Sequence, residues 1–316
     1  MARVQANGIE LEYDSFGSPK GRPLLLIMGL GGQMIMWDEG FCEALAARGH
    51  YVVRFDNRDV GLSTKLGAAG VPNVMELMMR GAAGSAPQVP YTLDDMADDA
   101  AGLLDALGVE RAHVVGGSLG GMVAQLLVIR HPDRVLSLAS LMSTTGRRGQ
   151  GRTSVRVWRH LLSRPPRTEE EAIERRVRVF ATVGSRGFEQ DVEELRRVTA
   201  LAMQRDPDAR AGRRRQHRAV RRAGDRTEAL RRITAPTVVI HGTDDRMCHP
   251  SGGHATASAV PSADLVLIPG MGHDLPPGAW TQLIDAIVRN ARRPQTPDDN
   301  ARIPRPDPGS ESSGLG

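Results

Sequence analysis

In the stretch "HVVGGSLGGMVAQ" (113–125), Ser118 stands among glycines, in the order Gly116-Gly117-Ser118-Leu119-Gly120. A serine hydroxyl is a weak nucleophile until a base takes its proton. A chemical role for Ser118 therefore demands a histidine, and behind it an acid that orients the ring and stabilises its charged form. The chain has nine histidines. His273, in "PGMGHDLP", follows the last strand-like segment and has glycine and proline neighbours. The other eight open or end strands, precede a proline, or lie in polar helical and loop stretches. The acid is expected before the histidine, in "VVIHGTDDRMCHP", which offers Asp244 and Asp245. Asp245, the fourth residue after His241, is the expected partner, and Asp244 reads as a solvated loop carboxylate. Two backbone N–H groups would complete the site by holding a developing oxyanion. Leu119, directly after the serine, supplies one, and the glycine-rich loop after "LLLIMG" supplies the other, with Leu30 the expected donor.

The G-x-S-x-G quintet means little alone in a chain with 35 glycines among 316 residues. Its surroundings carry the weight. "AHVVGG" (112–117) reads as a buried strand and "LGGMVAQLLVIRH" (119–131) as a helix, so the serine sits at a strand-to-helix turn. Small residues at 116 and 120 let strand and helix approach, and the helix N-terminus favours negative charge at the site.

The same alternation extends along the chain. Asn7-Gly8 predicts a hairpin. "PLLLIMG" (23–29) and "YVVRFD" (51–56) read as strands around a helix at 37–48 that stops at Gly49. Thr92 and Asp95 resemble a capping box for a helix carrying Leu93, Met96, Ala100, Leu103 and Leu107 at helical spacing. "RVLSLASLMS" (134–143), "PTVVIHG" (236–242) and "ADLVLIPG" (263–270) are further strands, with helices near 251–259 and 279–292. Strands alternating with helices imply a mostly parallel, eight-stranded sheet with helices on both faces. The alternation breaks at 146–232, which reads as a helical cap inserted after the sixth strand. The expected organisation is a core at 1–145 and 233–293, a cap at 146–232, and a disordered Pro/Gly/Ser tail at 294–316.

Charge is uneven. Residues 146–232 hold 24 arginines, no lysine and 12 acids, so the rest of the chain is negative against an overall +4. Lys20 and Lys65 are the only lysines, which makes arginine a chain-wide habit. "RAGRRRQHRAVRR" (210–222) could attract anionic partners, but it lacks interleaved aromatic side chains on which bases could stack, the whole chain having only 3%, and no nucleic-acid partner is expected. Cys42 and Cys248 form neither a metal spacing nor a disulfide framework. With no run of 18 apolar residues and no signal-like start, a cytoplasmic location without a membrane span is expected.

In the stretches "LLLIMGLGG", "RFDNRDVGLST", "YTLDDMADDAAGLLDALG", "HVVGGSLGGMVAQ", "ITAPTVVIHGTDD" and "LVLIPGMGHDLP" the chain resembles the α/β-hydrolase superfamily. Within it, the chain is similar to serine esterases related to aclacinomycin methylesterase and to mycobacterial lipase/esterases. The resemblance spans most of 1–293, loosely in the cap. It implies Ser118 as nucleophile, Asp245 as acid, His273 as base, and Leu30 and Leu119 as oxyanion donors. Relatives often carry Met after the nucleophile and His-Gly in the oxyanion loop; here Leu119 and Met28-Gly29 stand instead. "DNRDVGLST" reads as a structural turn, and Met28, Met34 and Met36 as pocket lining.

The expected activity is hydrolysis of a small carboxylic ester (a methyl ester, lactone, thioester or small acyl ester) through an acyl-enzyme, with no cofactor or metal. Carbon–carbon bond hydrolysis on the same triad is the alternative. A binding module for anionic ligands is a third reading, from outside enzymology.

Overall fold

In a computed structural model, residues 1–67, 90–161, 166 and 168–294 are described. Beyond Pro294, the expected tail lies outside the described residues.

The hairpin at Asn7-Gly8 forms as the sequence predicts. Both residues take positive φ, +48° and +75°, the geometry a two-residue hairpin requires. It joins β1 (Ala2–Ala6) to β2 (Ile9–Phe16). The other strands are β3 (Arg22–Ile27), β4 (His50–Phe55), β5 (Ala112–Gly117), β6 (Val135–Leu141), β7 (Thr237–Gly242) and β8 (Asp264–Ile268). They form one eight-stranded sheet in the order β1-β2-β4-β3-β5-β6-β7-β8. The β1/β2 and β2/β4 pairs are antiparallel, and every later pair is parallel.

Alternate residues of the central strands feed two cores, as a period of two dictates. Leu25, Ile27, Val53, Phe55 and Val114 face α2 (Leu93–Ala106) and α3 (Leu119–Arg130). Leu24, Leu26, Val52, Val115 and Ile240 face α1 (Glu39–Ala46) and α10 (Trp280–Ala291), where Phe41, Leu283 and Ile287 are buried. Burial on both faces explains why these strands read as continuous apolar runs. The capping box on α2 is present: Asp95 N–H donates to Thr92 Oγ1 at 3.3 Å, and Thr92 N–H to Asp95 Oδ2 at 2.7 Å.

Between β6 and β7 lie α4 (Val155–Leu161), α5 (Glu169–Val183), α6 (Val192–Arg205), α7 (Ala209–Arg222) and the short α8 (Thr227–Leu230). α9 (Ser251–Ala259) follows β7. α5 to α7 bury little apolar surface. Val183 is the buried residue of α5, Thr199 that of α6, and α7 buries Arg215 and Gln216 beside Gly212 and Ala219. No helix among the described residues is long and apolar enough to cross a membrane.

Candidate active site

Ser118 follows the last residue of β5 and precedes α3, with φ +56° and ψ −115°. A non-glycine residue holds such angles only when its surroundings over-determine them. Ser118 N–H donates to Leu141 O at 2.8 Å, and Ser143 Oγ donates to Ser118 O at 2.7 Å. Side chains are excluded on both flanks. A Cβ on Gly116 would collide with the Gly120 carbonyl, and one on Gly120 with the Ile27 carbonyl. The turn thus stands the serine upright, partly exposed, at the N-terminus of α3.

The structure brings the three chemical side chains into line. His273 Nε2 lies 3.0 Å from Ser118 Oγ, and His273 Nδ1 lies 2.7 Å from Asp245 Oδ2. Asp245 is 3% exposed. Its Oδ1 accepts the N–H groups of Met247 and Cys248 at 2.8 Å each. Burial opposes its ionisation, but the His273 charge and hydrogen bonds from His241 and His273 outweigh this and hold the carboxyl below its ordinary range. An ionised Asp245 accepts the Nδ1 proton, leaving Nε2 free to accept from the serine hydroxyl. Burial likewise opposes protonation of His273, yet the charge and hydrogen bond of Asp245, with Asp274 beyond, raise its pKa. Asp244 does not join the line; Thr243 Oγ1 meets its Oδ1 at 3.3 Å.

The loop after β3 runs past the serine. A Cβ on Gly29 would sit 3.2 Å from Ser118 Cβ. Gly32 N–H donates to Gly29 O at 3.0 Å, so Leu30 and Gly31 (φ +63°) form the corners of a tight turn. Leu119 is the first residue of α3, where an N–H has no acceptor within its own helix. Of the three methionines expected to line the pocket, Met34 is instead wholly buried. Its N–H donates to Asp56 Oδ1 at 2.7 Å.

Two supports escaped sequence reasoning. His241 is a second partner of Asp245: its Nε2 lies 3.2 Å from Oδ2 and 2.8 Å from Cys248 O. Both neighbours are acceptors, so that nitrogen carries a proton and steadies the acid. The four-residue spacing was visible, but a strand-ending histidine gives no sign of which way its ring turns. The other support is the insertion. The Val183 carbonyl at the end of α5 accepts His273 N–H at 2.7 Å. Ser185 Oγ donates to Asp274 Oδ1 at 2.5 Å and accepts Gly272 N–H at 2.9 Å. On the other side, Gln216 Oε1 accepts Gly31 N–H at 2.8 Å, Arg205 Nε donates to Gln33 Oε1 at 2.9 Å, and Arg205 pairs with Asp56 at 2.6 Å. The segment "DNRDVGLST" is the structural turn it reads as. Asp56, Asn57, Arg58 and Asp59 are all buried, and Asn57 Nδ2 donates to Met28 O at 3.0 Å.

Such an arrangement can remove the serine proton, carry it on a histidine whose charge is balanced by a buried carboxylate, and offer N–H groups where an oxyanion would form.

The sequence profile of the α/β-hydrolase fold matches residues 22–276. A rhodomycin D methylesterase, DauP, of Streptomyces sp. strain C5 is 31% identical over 92% of this chain and 97% of its own. A carbamate hydrolase, RutD, assigned in Variovorax paradoxus, is 34% identical over 40% of each chain. Among solved structures, a hydrolase of Pseudomonas aeruginosa PA01 superposes with a TM-score of 0.66 at 25% identity, over 92% of this chain and 98% of its own.

Proposed function

The chain belongs to the α/β-hydrolase fold family, and from that premise we propose that it is a carboxylic ester hydrolase with Ser118, His273 and Asp245 as its catalytic triad. The reading rests above all on the continuous relay from Ser118 Oγ through both nitrogens of His273 to Asp245, at 3.0 and 2.7 Å. Ser118 Oγ attacks the ester carbonyl carbon while His273 Nε2 takes its proton. The negative charge on the carbonyl oxygen is held by the N–H groups of Leu119 and Leu30. Collapse of the tetrahedral species expels the alcohol, which leaves with the proton from His273, and an acyl-serine remains. Water, deprotonated by the same histidine, then releases the acid and restores the serine. No cofactor enters these steps.

In this reading residues 1–145 and 233–293 are the hydrolase core, and 146–232 is a cap that bounds the substrate. The substrate is a small molecule: a methyl ester, lactone, thioester or small acyl ester. Methyl esters come first because DauP carries the name of a methylesterase. Incubation with a fluorophosphonate probe followed by peptide mass spectrometry tests the reading. The expected result is a single covalent label on Ser118 together with hydrolysis of 4-nitrophenyl acetate. An unlabelled Ser118 with no turnover of any ester, lactone or thioester in a panel would overturn it.

A further inference from the structure

The arginines of the insertion differ in their partners. Arg205 pairs with Asp56 at 2.6 Å and Arg215 with Asp59 at 2.7 Å. Arg226, also buried, donates to Gln125 Oε1, Thr144 O and Gly224 O. Arg176 and Arg213 have no such arrangement. Arg176, on α5, has its Nε buried without a hydrogen-bond partner. One of its terminal nitrogens meets the thioether of Met36 at 3.0 Å, and its guanidinium lies 5.2 Å from the Phe180 ring. A thioether is a weak acceptor and a ring face balances little charge. Arg213, on α7, keeps part of its surface in solvent while its methylene stem is packed across Gly31, where a Cβ would meet its carbons at 2.8–3.2 Å. Neither arginine forms an ion pair among the described residues. Each also feels like charge. Burial and Arg213 push Arg176 down to about 10; burial, then Arg175, Arg210 and Arg214, lower Arg213.

Both residues border one loop. Gly31 and Met36 belong to the segment after β3 that passes Ser118, and Met36 Sδ lies 3.3 Å from where a Cβ on Gly32 would be. Two cavities, of about 220 and 280 Å³, lie elsewhere and are lined by neither these arginines nor Ser118. A guanidinium partly shielded from water and without a counter-charge favours the approach of an anion. A guanidinium presents a planar fork that suits a carboxylate.

We propose that Arg176 and Arg213 form a binding site for a carboxylate carried by the substrate, beside the loop that faces Ser118. The substrate class is then an ester of a molecule bearing a second, free carboxylate, held so that its ester carbonyl reaches the serine. The proposal rests on the esterase reading for what the bound molecule is, but its test does not depend on turnover.

The experiment measures binding by calorimetry to Ser118→Ala. The ligands are the monomethyl esters of linear dicarboxylic acids from succinate to suberate, each against its dimethyl ester. At least one monomethyl ester should bind tenfold or more tightly than its neutral partner. Adding Arg176→Gln or Arg213→Gln should reduce that ratio to below threefold, with Arg176→Lys retaining part of it. Arg178→Gln, an equal loss of charge at an exposed position of the same helix, should leave the ratio intact. Equal affinity for every pair overturns the site. So does an Arg178→Gln effect as large as that of Arg176→Gln, which would assign the preference to overall charge. Failure of the esterase reading would show separately, as an unlabelled Ser118 in the unsubstituted protein.

Discussion

The sheet core and the helical insertion hold themselves together by different means. In the core, Leu24, Leu25, Leu26, Ile27, Val52 and Phe55 are buried on two faces against the apolar sides of the covering helices. The insertion offers few such residues, and its attachment to the core is largely polar. Arg205 and Arg215 reach Asp56 and Asp59, Gln216 spans Gly31 and Arg58, and Ser185 meets Gly272 and Asp274. Apolar burial is non-directional and fixes a fold; hydrogen-bonded ion pairs are directional and fix a register. The segment between β6 and β7 therefore acts on two loops of the core. It grips the loop that carries His273 on one side and the loop that carries Leu30 on the other.

The first way to break this contrast is inside the core. Asp245→Asn removes the charge that balances an imidazolium and should lower kcat/KM by about 10³–10⁴-fold, with little change in thermal midpoint. Asp244→Asn should stay within about twofold. Steady-state kinetics on one ester with the two variants side by side decide the matter. A larger loss for Asp244→Asn would move the acid by one residue.

The joint should break by a different measure. Arg215 and Asp59 are both almost wholly buried. Arg215→Met leaves a buried carboxylate without its cation and should cost about 3–5 kcal/mol of stability. Replacing both, Arg215→Met with Asp59→Asn, should recover part of this, because no bare charge remains, while Asn tolerates the positive φ of +69° and can still accept the Leu66 N–H. Denaturant titrations of the two variants test it. Equal losses would mean that the pair's net attraction, and not the stranded charge, stabilises the joint.

Gln216→Leu sharpens the comparison from the side of function. Without that side chain, Gly31 N–H and Arg58 O lose their bridge, while the triad contacts remain. We expect kcat to fall about tenfold with KM changing less, since Leu30 would be displaced chiefly from the transition-state oxyanion. A change confined to KM would mean that the bridge shapes the substrate pocket and not the oxyanion donor.

These regions also differ in how far the sequence reveals them. The apolar runs of β3 to β8, the Asn7-Gly8 turn, the Thr92 box and the glycines around Ser118 are local signals, and each element formed where its signal lay. Ser118, Asp245 and His273 were legible because their places follow strand ends, and chain order alone arranges those along one edge of a parallel sheet. The insertion's charges were not legible. In sequence, Arg176, Arg205, Arg213 and Arg215 are alike. What separates them is a carboxylate about 150 positions away, present for Arg205 and Arg215 and absent for the other two. No periodicity encodes that. His241 went unread for a related reason: its place at a strand end was known, and the contacts that fix its ring were not.

The smallest expected effect concerns pH, and it too joins the two regions. His273 must be neutral to accept the serine proton, so kcat/KM should rise with pH as the ring loses its charge. Asp245 raises the histidine's pKa by charge and hydrogen bond, and Asp274 adds to this by charge. The acid limb should therefore have its midpoint above about 6.5, the ordinary histidine value. Asp274 is held by Ser185, a residue of the insertion, at 2.5 Å. Burial raises the Asp274 pKa while its Ser185 bonds lower it, so Ser185→Ala should raise it further and leave less negative charge beside the ring. The limb would then shift downward. The shift should be smaller than that produced by Asp274→Asn, which removes the charge outright. A pH–rate series on the three proteins gives the order directly. An unchanged midpoint in Asp274→Asn would leave Asp245 alone to set the base, and the insertion would then act on His273 through position only.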